Sequence, residues 1–302
     1  MRRRLSGTAA VCALAAGLVG CGDAPPTATA GGSSGLPVAT DVLVAEEEVA
    51  VVRRDGTVAT VGHDGRPGRA LVALPPDAGE PDAVAVGPDG RLVVVSTLRS
   101  DDDDPAVCAA SVLQVLPDGS LSRLAEGASV ALSADGRRMA FFRYAVVDGF
   151  CRRTDLVARD LETGADTTVA GPGDGEVGGT PPTWPVSWAP DGSRIAHVTR
   201  EGAVVTDVAT GRSTPVRPVP GLLAPAFLAD GRLVGLDGCC IGGAAVATAE
   251  GEQVFAVDAP VRSIRAGRDG VGAWFTLEDV GLHRWDGATT RAVTADAVLT
   301  SG

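Results

Sequence analysis

An all-β chain of six four-stranded antiparallel blades, a β-propeller, is the fold this sequence predicts, and three observations predict it. An apolar stretch, a turn on Asp-Gly and a second apolar stretch recur along the chain. Each such hairpin is followed by another with its own turn, so the repeating unit is four strands (a to d) of about forty residues, the size of a propeller blade. The chain lacks any 3.6-residue apolar period, which excludes a helical solenoid, and a β-sandwich does not repeat in this way.

The elements follow in order. The first unit is DVLVAEEEVAVVRRDGTVATVGHDGRPGRALVAL (41–74), which lacks the first Asp-Gly but keeps the rest. In the next five the inner hairpin is AVAVGPDGRLVVVS (83–96), VALSADGRRMAFFR (130–143), VSWAPDGSRIAHVT (186–199), PAFLADGRLVGLD (225–237) and IRAGRDGVGAWFT (264–276). Their outer hairpins are VLPDGSLSRL (115–124), ARDLETGADTTVA (158–170), VTDVATGRSTPV (205–216), ATAEGEQVFAV (247–257) and HRWDGATTRAV (283–293). Asp-Gly supplies the positive φ of a tight turn, and the flanks are β-formers. Six units then fill residues 41 to about 296, each with a complete strand set. The alternative at the ends is that Asp41–Ala45 pairs as the outermost strand of the last blade and hides its edge. In such blades the b–c and d–a connections share one face, and the short a–b and c–d turns share the other.

Pro190-Asp191-Gly192-Ser193-Arg194-Ile195-Ala196 matches the P-D-G-[SR]-x-[IL]-A-[FY] signature between the two innermost strands of TolB-like propeller blades. Pro88-Asp89-Gly90-Arg91 and Ala134-Asp135-Gly136-Arg137-Arg138-Met139-Ala140-Phe141 are close, and the first and last two units depart from it. The globular part, 41–302, thus resembles the TolB-like propeller repeat. That resemblance implies fold more than function, and the sequence shows no sign of the separate N-terminal α/β domain that the family's namesake carries, so none is expected.

Arg2, Arg3 and Arg4 precede an apolar run from Leu5 to Gly20 that is short and rich in small residues, the make-up of a secretory signal. Leu18-Val19-Gly20-Cys21 resembles the lipobox of bacterial lipoproteins. The resemblance implies that residues 1–20 are a signal peptide, that Cys21 is lipidated and becomes the mature N-terminus, and that the protein works outside the cytoplasm. The Pro/Ser/Gly-rich stretch that follows, within 21–40, reads as a flexible tether.

The net charge is −12, and without residues 1–20, which hold three arginines and no acid, it is −15. An acidic surface with no basic cluster argues against nucleic acid and against lying flat on anionic lipid. All 26 basic residues are arginine. The absence of lysine rules out a Schiff base and a P-loop, and the absence of asparagine rules out a glycosylation sequon.

No constellation of residues points to catalysis. His197 shares a column with Val95, Phe141, Leu236 and Phe275 when the hairpins are aligned on Asp-Gly, so it reads as a core histidine. His63 falls in a turn and reads as solvated; His283 lies on a third strand with nothing to orient it. Three histidines on three blades build neither a metal site nor a triad, and no G-x-S-x-G elbow is present. Asp101, Asp102, Asp103 and Asp104 sit in the b–c loop of the second unit and read as a solvated acidic loop rather than a calcium site, which alternates carboxylates with carbonyls around a glycine. No metal or cofactor is expected.

Cys108 and Cys151 follow the b–c loops of adjacent units, and Cys239 and Cys240 lie in the b–c loop of the fifth. In an oxidising compartment these read as disulfides, Cys108–Cys151 and Cys239–Cys240, with zinc as the rival reading. The expected role is a monomeric, non-catalytic protein-binding or scaffolding module, anchored to the membrane through its lipid, with an envelope protein or peptide as partner. The alternative is an enzyme or small-molecule sensor that uses the axial funnel. The expected working surface is the face of the longer loops, carrying Asp101–Asp104, Phe150 and Cys239-Cys240.

Overall fold

Strands form where this sequence alternates β-branched and small apolar residues between Asp-Gly turns, and the computed structural model contains 24 of them and no helix among the described residues. The structure describes residues 41–100, 107–171, 186–199, 202–216, 223–237, 244–248, 252–257, 259–268, 270 and 272–301. Blade 1 contains β1 (Glu48–Arg53), β2 (Thr57–Gly62) and β3 (Pro67–Ala73). Blade 2 contains β4 (Glu80–Val86), β5 (Val93–Ser100), β6 (Cys108–Val115) and β7 (Leu121–Ala125). Blade 3 contains β8 (Ala128–Leu132), β9 (Arg138–Val147), β10 (Phe150–Asp160) and β11 (Asp166–Ala170). Blade 4 contains β12 (Ser187–Trp188), β13 (Arg194–Thr199), β14 (Gly202–Asp207) and β15 (Ser213–Pro215). Blade 5 contains β16 (Leu223–Phe227), β17 (Leu233–Asp237), β18 (Ala244–Thr248) and β19 (Gln253–Val257). Blade 6 contains β20 (Val261–Ala266), β21 (Ala273–Leu277), β22 (Gly281–Trp285) and β23 (Thr290–Thr294), and β24 (Ala297–Thr300) ends the chain's regular structure.

All pairings are antiparallel, in six four-stranded sheets. β24, β4, β8, β12, β16 and β20 neighbour one another in a ring and are the innermost strands. Burial falls outward. β1 and β2 are buried along their middles because another blade covers each side, whereas the outer strands β3 and β23 are largely exposed.

The first unit departs from the expectation of a complete strand set. It supplies three strands, and the fourth comes from the far end of the chain: β24 pairs with β1 as Val51↔Thr300, Val52↔Leu299 and Arg53↔Ala297. Asp41–Ala45 does not pair in the last blade, which is complete without it. These residues instead tuck against blade 2, where the Leu43 and Val44 amides donate to the Gly90 carbonyl at 2.9 and 3.0 Å. Gly90, at φ 70°, is the Asp-Gly turn glycine that makes room for them, since a Cβ there would stand 2.0 Å from the Val44 oxygen.

The described aspartates of the inner-hairpin turns do local work. Asp89, Asp135, Asp191 and Asp230 each accept the amide two residues on, at 2.9–3.1 Å.

Candidate functional site

Among the described residues, the face of the b–c connections carries a projecting hairpin in blade 3. β9 and β10 run past their sheet as a hairpin closed by Asp148 (φ 53°) and Gly149 (φ 80°), a two-residue turn with both φ values positive. Cys151 lies opposite Val146 in the ladder, and its sulfur bonds that of Cys108, the first residue of β6 in blade 2. The expected Cys108–Cys151 disulfide is therefore formed, and it excludes zinc at these two residues. Cys151 and Tyr144 pack toward Leu98, Ala110 and Ala128. At the tip Val146 and Phe150 are 46 and 57% exposed, and the Arg152 guanidinium lies 5.8 Å from the Phe150 ring centroid.

In sequence the acidic stretch lies between β5, which ends at Ser100, and β6, which Cys108 opens. Asp101–Asp104 themselves lie outside the described residues, as do Cys239, Cys240 and Cys21.

Beneath the arm is a buried polar layer. Asp82 of β4 accepts from the Ser96 hydroxyl at 2.5 Å, the Ser129 amide at 2.5 Å and the Ser129 hydroxyl at 3.0 Å, so one carboxylate joins blades 2 and 3. Burial raises its pKa while these bonds oppose the rise. Burial and the nearby Asp82 charge also push the Tyr144 phenol up. Arg153 of β10 donates to the Val198 carbonyl of blade 4 at 3.1 Å and lies over the Phe142 ring. His197 is 2% exposed, shares a hydrogen bond with the Thr206 hydroxyl at 2.8 Å, and is lowered to about pKa 4 by burial and then by Arg153. The Asp82–Ser129 and Arg153–Val198 bonds tie neighbouring blades together.

The other two histidines differ from expectation. His63 is half-buried and packs on Trp274, ring centroids 5.1 Å apart, rather than being solvated. His283 is oriented after all, by a 3.2 Å contact from Nδ1 to the Gly281 carbonyl and by stacking on Phe275. Among the described residues no group of three or more His, Cys, Asp or Glu is placed to hold a metal.

The opposite face holds a funnel on the axis, about 290 Å³, at the ends of the innermost strands. Pro88, Ala134, Pro190 and Ala229 stand exposed at its rim, each just before an Asp-Gly; Ala85, Ala131 and Val186 are buried deeper, and Trp188 and Phe227 form wall. Ser133, Ser187 and Ser301 add hydroxyls, and two arginines of blade 6, Arg265 and Arg268, are the charged residues of this lining. Sequence reading missed them, yet the signal was present. In the Asp-Gly alignment Arg265 falls in a column of Ala85, Ala131, Ser187 and Ala226, and Arg268 in one of Pro88, Ala134, Pro190 and Ala229.

Comparison with solved structures places this architecture. TolB from Acinetobacter baumannii superposes with a TM-score of 0.57 at 13% identity over 80% of this chain, and this chain spans 60% of that protein's length. A putative TolB from Agrobacterium tumefaciens gives 0.56 at 12% identity, covering 82% of this chain and 88% of that one. The tricorn protease gives 0.51 at 13% identity, covering 83% and 30%. No family model matches the sequence, and no curated protein matches it. At these identities the likeness is one of fold: the chain has the six-bladed propeller architecture shared by TolB proteins and a propeller-bearing protease.

Proposed function

We propose that this TolB-like propeller is a non-catalytic protein-binding module of the cell envelope, held on the outer side of the cytoplasmic membrane by lipid on Cys21. The arm of blade 3 carries the reading. Exposed apolar side chains are common singly, but here Phe150 is exposed beside Arg152 at the tip of a hairpin that a disulfide fixes to the neighbouring blade, with Val146 exposed on the hairpin's other face. A rigid aromatic anchor beside an arginine is the kind of group that partners bury at interface centres. In this reading Asp101–Asp104, between β5 and β6 in sequence, supply acidity, which suits a cationic protein or peptide and makes association weaken with salt. The disulfide fits an oxidising compartment, and the charged start, apolar run and Cys21 supply the route to it. Cys239 and Cys240 form a second disulfide in this reading, and the module is a monomer.

A photocrosslinking side chain placed at position 150 in producing cells tests this. It is expected to give a discrete adduct with an envelope protein, weakened by Val146→Asp and, at low salt, by serines at Asp101–Asp104. The same probe at Thr163, an exposed position in the c–d turn of that blade on the other face, is expected to give none. Identical adducts from both positions, or none from position 150, would overturn the proposal. For the anchor, Cys21→Ala is expected to release the protein or leave an unprocessed precursor; normal cleavage and unchanged detergent partitioning would refute lipidation.

A further inference from the structure

We propose that the axial funnel on the face of the a–b turns binds a carboxylate carried on a small apolar body, received by Arg265 and Arg268. Arg265 is 8% exposed and forms one hydrogen bond among the described residues, from Nη1 to the Val186 carbonyl of blade 4 at 3.0 Å. It reaches across the axis while lining the cavity. Burying a guanidinium with one neutral acceptor is unfavourable unless an anion joins it. Asp82, the acid whose charge acts on it, already accepts from Ser96 and Ser129 and does not line the funnel. Burial lowers Arg265 only to about 10, so it is cationic at neutral pH. At the rim Arg268 donates from Nη2 to the Pro88 carbonyl at 3.0 Å, while its buried Nε and Nη1 have no hydrogen-bond partner among the described residues. Asp89 and Glu46 are the acids whose charges act on it, and neither lines the funnel.

Two arginines, the only charged side chains among the described residues of a lining that is otherwise apolar apart from Ser133, Ser187 and Ser301, set the class of ligand. A guanidinium fork matches the two oxygens of a carboxylate. The walls, with Trp188 and Phe227, offer apolar contact to the rest of the molecule, the usual division of labour in a small-ligand site. The cavity of about 290 Å³ limits that body to a small acid or the last residues of a peptide with a free C-terminus.

Calorimetry on the full chain in detergent distinguishes these sources with three probes: octanoate, an N-acetylated tetrapeptide ending in leucine, and the same tetrapeptide as its C-terminal amide. Binding of octanoate or the free-acid peptide, and not of the amide, is expected; whichever acid binds more tightly names the source. Arg265→Ala should weaken binding by at least about tenfold, the scale of a lost charged hydrogen bond, and Arg268→Ala should weaken it less. Both variants install a residue that other blades already carry in the same column, so the fold is expected to survive, which a thermal melt checks. No binding of either acid, equal binding of the amide, or full affinity in a folded Arg265→Ala variant would overturn the assignment. None of these results bears on the arm at the opposite face.

Discussion

His197 is a base whose surroundings have removed its base chemistry. Its column in the aligned hairpins is apolar, which was enough to predict a core position, and the structure adds what the column could not, the Thr206 hydroxyl and the nearby Arg153. With a pKa lowered from 6.5 to about 4, the folded chain refuses a proton that the unfolded chain accepts between those values. Stability is therefore lost as pH falls from about 6.5 toward 4, on the order of 3 kcal/mol from this group. His197→Leu removes the contribution, and urea denaturation at pH 7 and 4.5 is expected to show a smaller loss in the variant than in the parent. Equal losses would mean that this histidine titrates normally. Asp82 has the opposite sign: its raised pKa makes the folded chain hold its proton to higher pH, so its penalty grows as pH rises through that value. Its worth lies in hydrogen bonds. Asp82→Ala leaves the buried Ser129 amide without its acceptor and should cost about 1–3 kcal/mol in the same assay, whereas an effect below the measurement error would mean that blades 2 and 3 are joined by apolar packing alone.

The hairpins were legible because each depends on neighbours in sequence: an Asp-Gly pair, two short β-forming flanks, and an aspartate that accepts its own turn's amide. The arm of blade 3 uses the same grammar, Val147-Asp148-Gly149-Phe150, but its length was not legible. How far β9 and β10 extend past the sheet depends on blade 2, against which Cys151 and Tyr144 pack. The disulfide closes a span of 43 residues across that boundary. A chain-entropy estimate for such a loop is about 4 kcal/mol, with measured effects of native bridges commonly about 2–5. Replacing Cys108 and Cys151 with serine should lower stability by that order, and amide exchange should rise most in 144–152. If exchange rises evenly over all blades while the arm stays protected, the bridge is a global staple rather than the fixture of the arm.

The ring as a whole is held together by apolar contacts between neighbouring blades. Six apolar clusters each join a neighbouring pair: Val52 and Leu71 with Val84 and Val95 for blades 1 and 2, Ala83 and Val112 with Phe141 for 2 and 3, Leu156 with Trp188 for 3 and 4, Ala196 with Phe227 for 4 and 5, Val246 with Phe275 for 5 and 6, and Trp274 with Val49 for 6 and 1. A ring of this kind has no free end only if its last blade meets its first, and that closure was the feature that local pattern could not reveal. Ala297-Val298-Leu299-Thr300 is too short to announce itself as a strand, and its partner β1 is the first of the described strands. Pairing between chain ends leaves no trace in either segment alone. The two segments are locked by more than the ladder: the Ser301 hydroxyl accepts from the Ala50 amide at 3.0 Å and the Ser301 amide donates back to the Ala50 carbonyl at 2.9 Å. Ala297, Leu299 and Thr300 are all buried. Truncation after Ala295 would strip β1 of its inner neighbour, leaving an unpaired strand edge at the axis and unseating Ala297 from the cluster that joins blades 1 and 6. The milder Leu299→Ala should cost about 2–5 kcal/mol with unfolding still cooperative. The truncated chain should instead lose the single cooperative transition and self-associate through the opened edge, read by calorimetry and light scattering. A truncated chain that melts in one transition near the parent temperature and stays monomeric would mean that the other five blade contacts suffice to hold the ring.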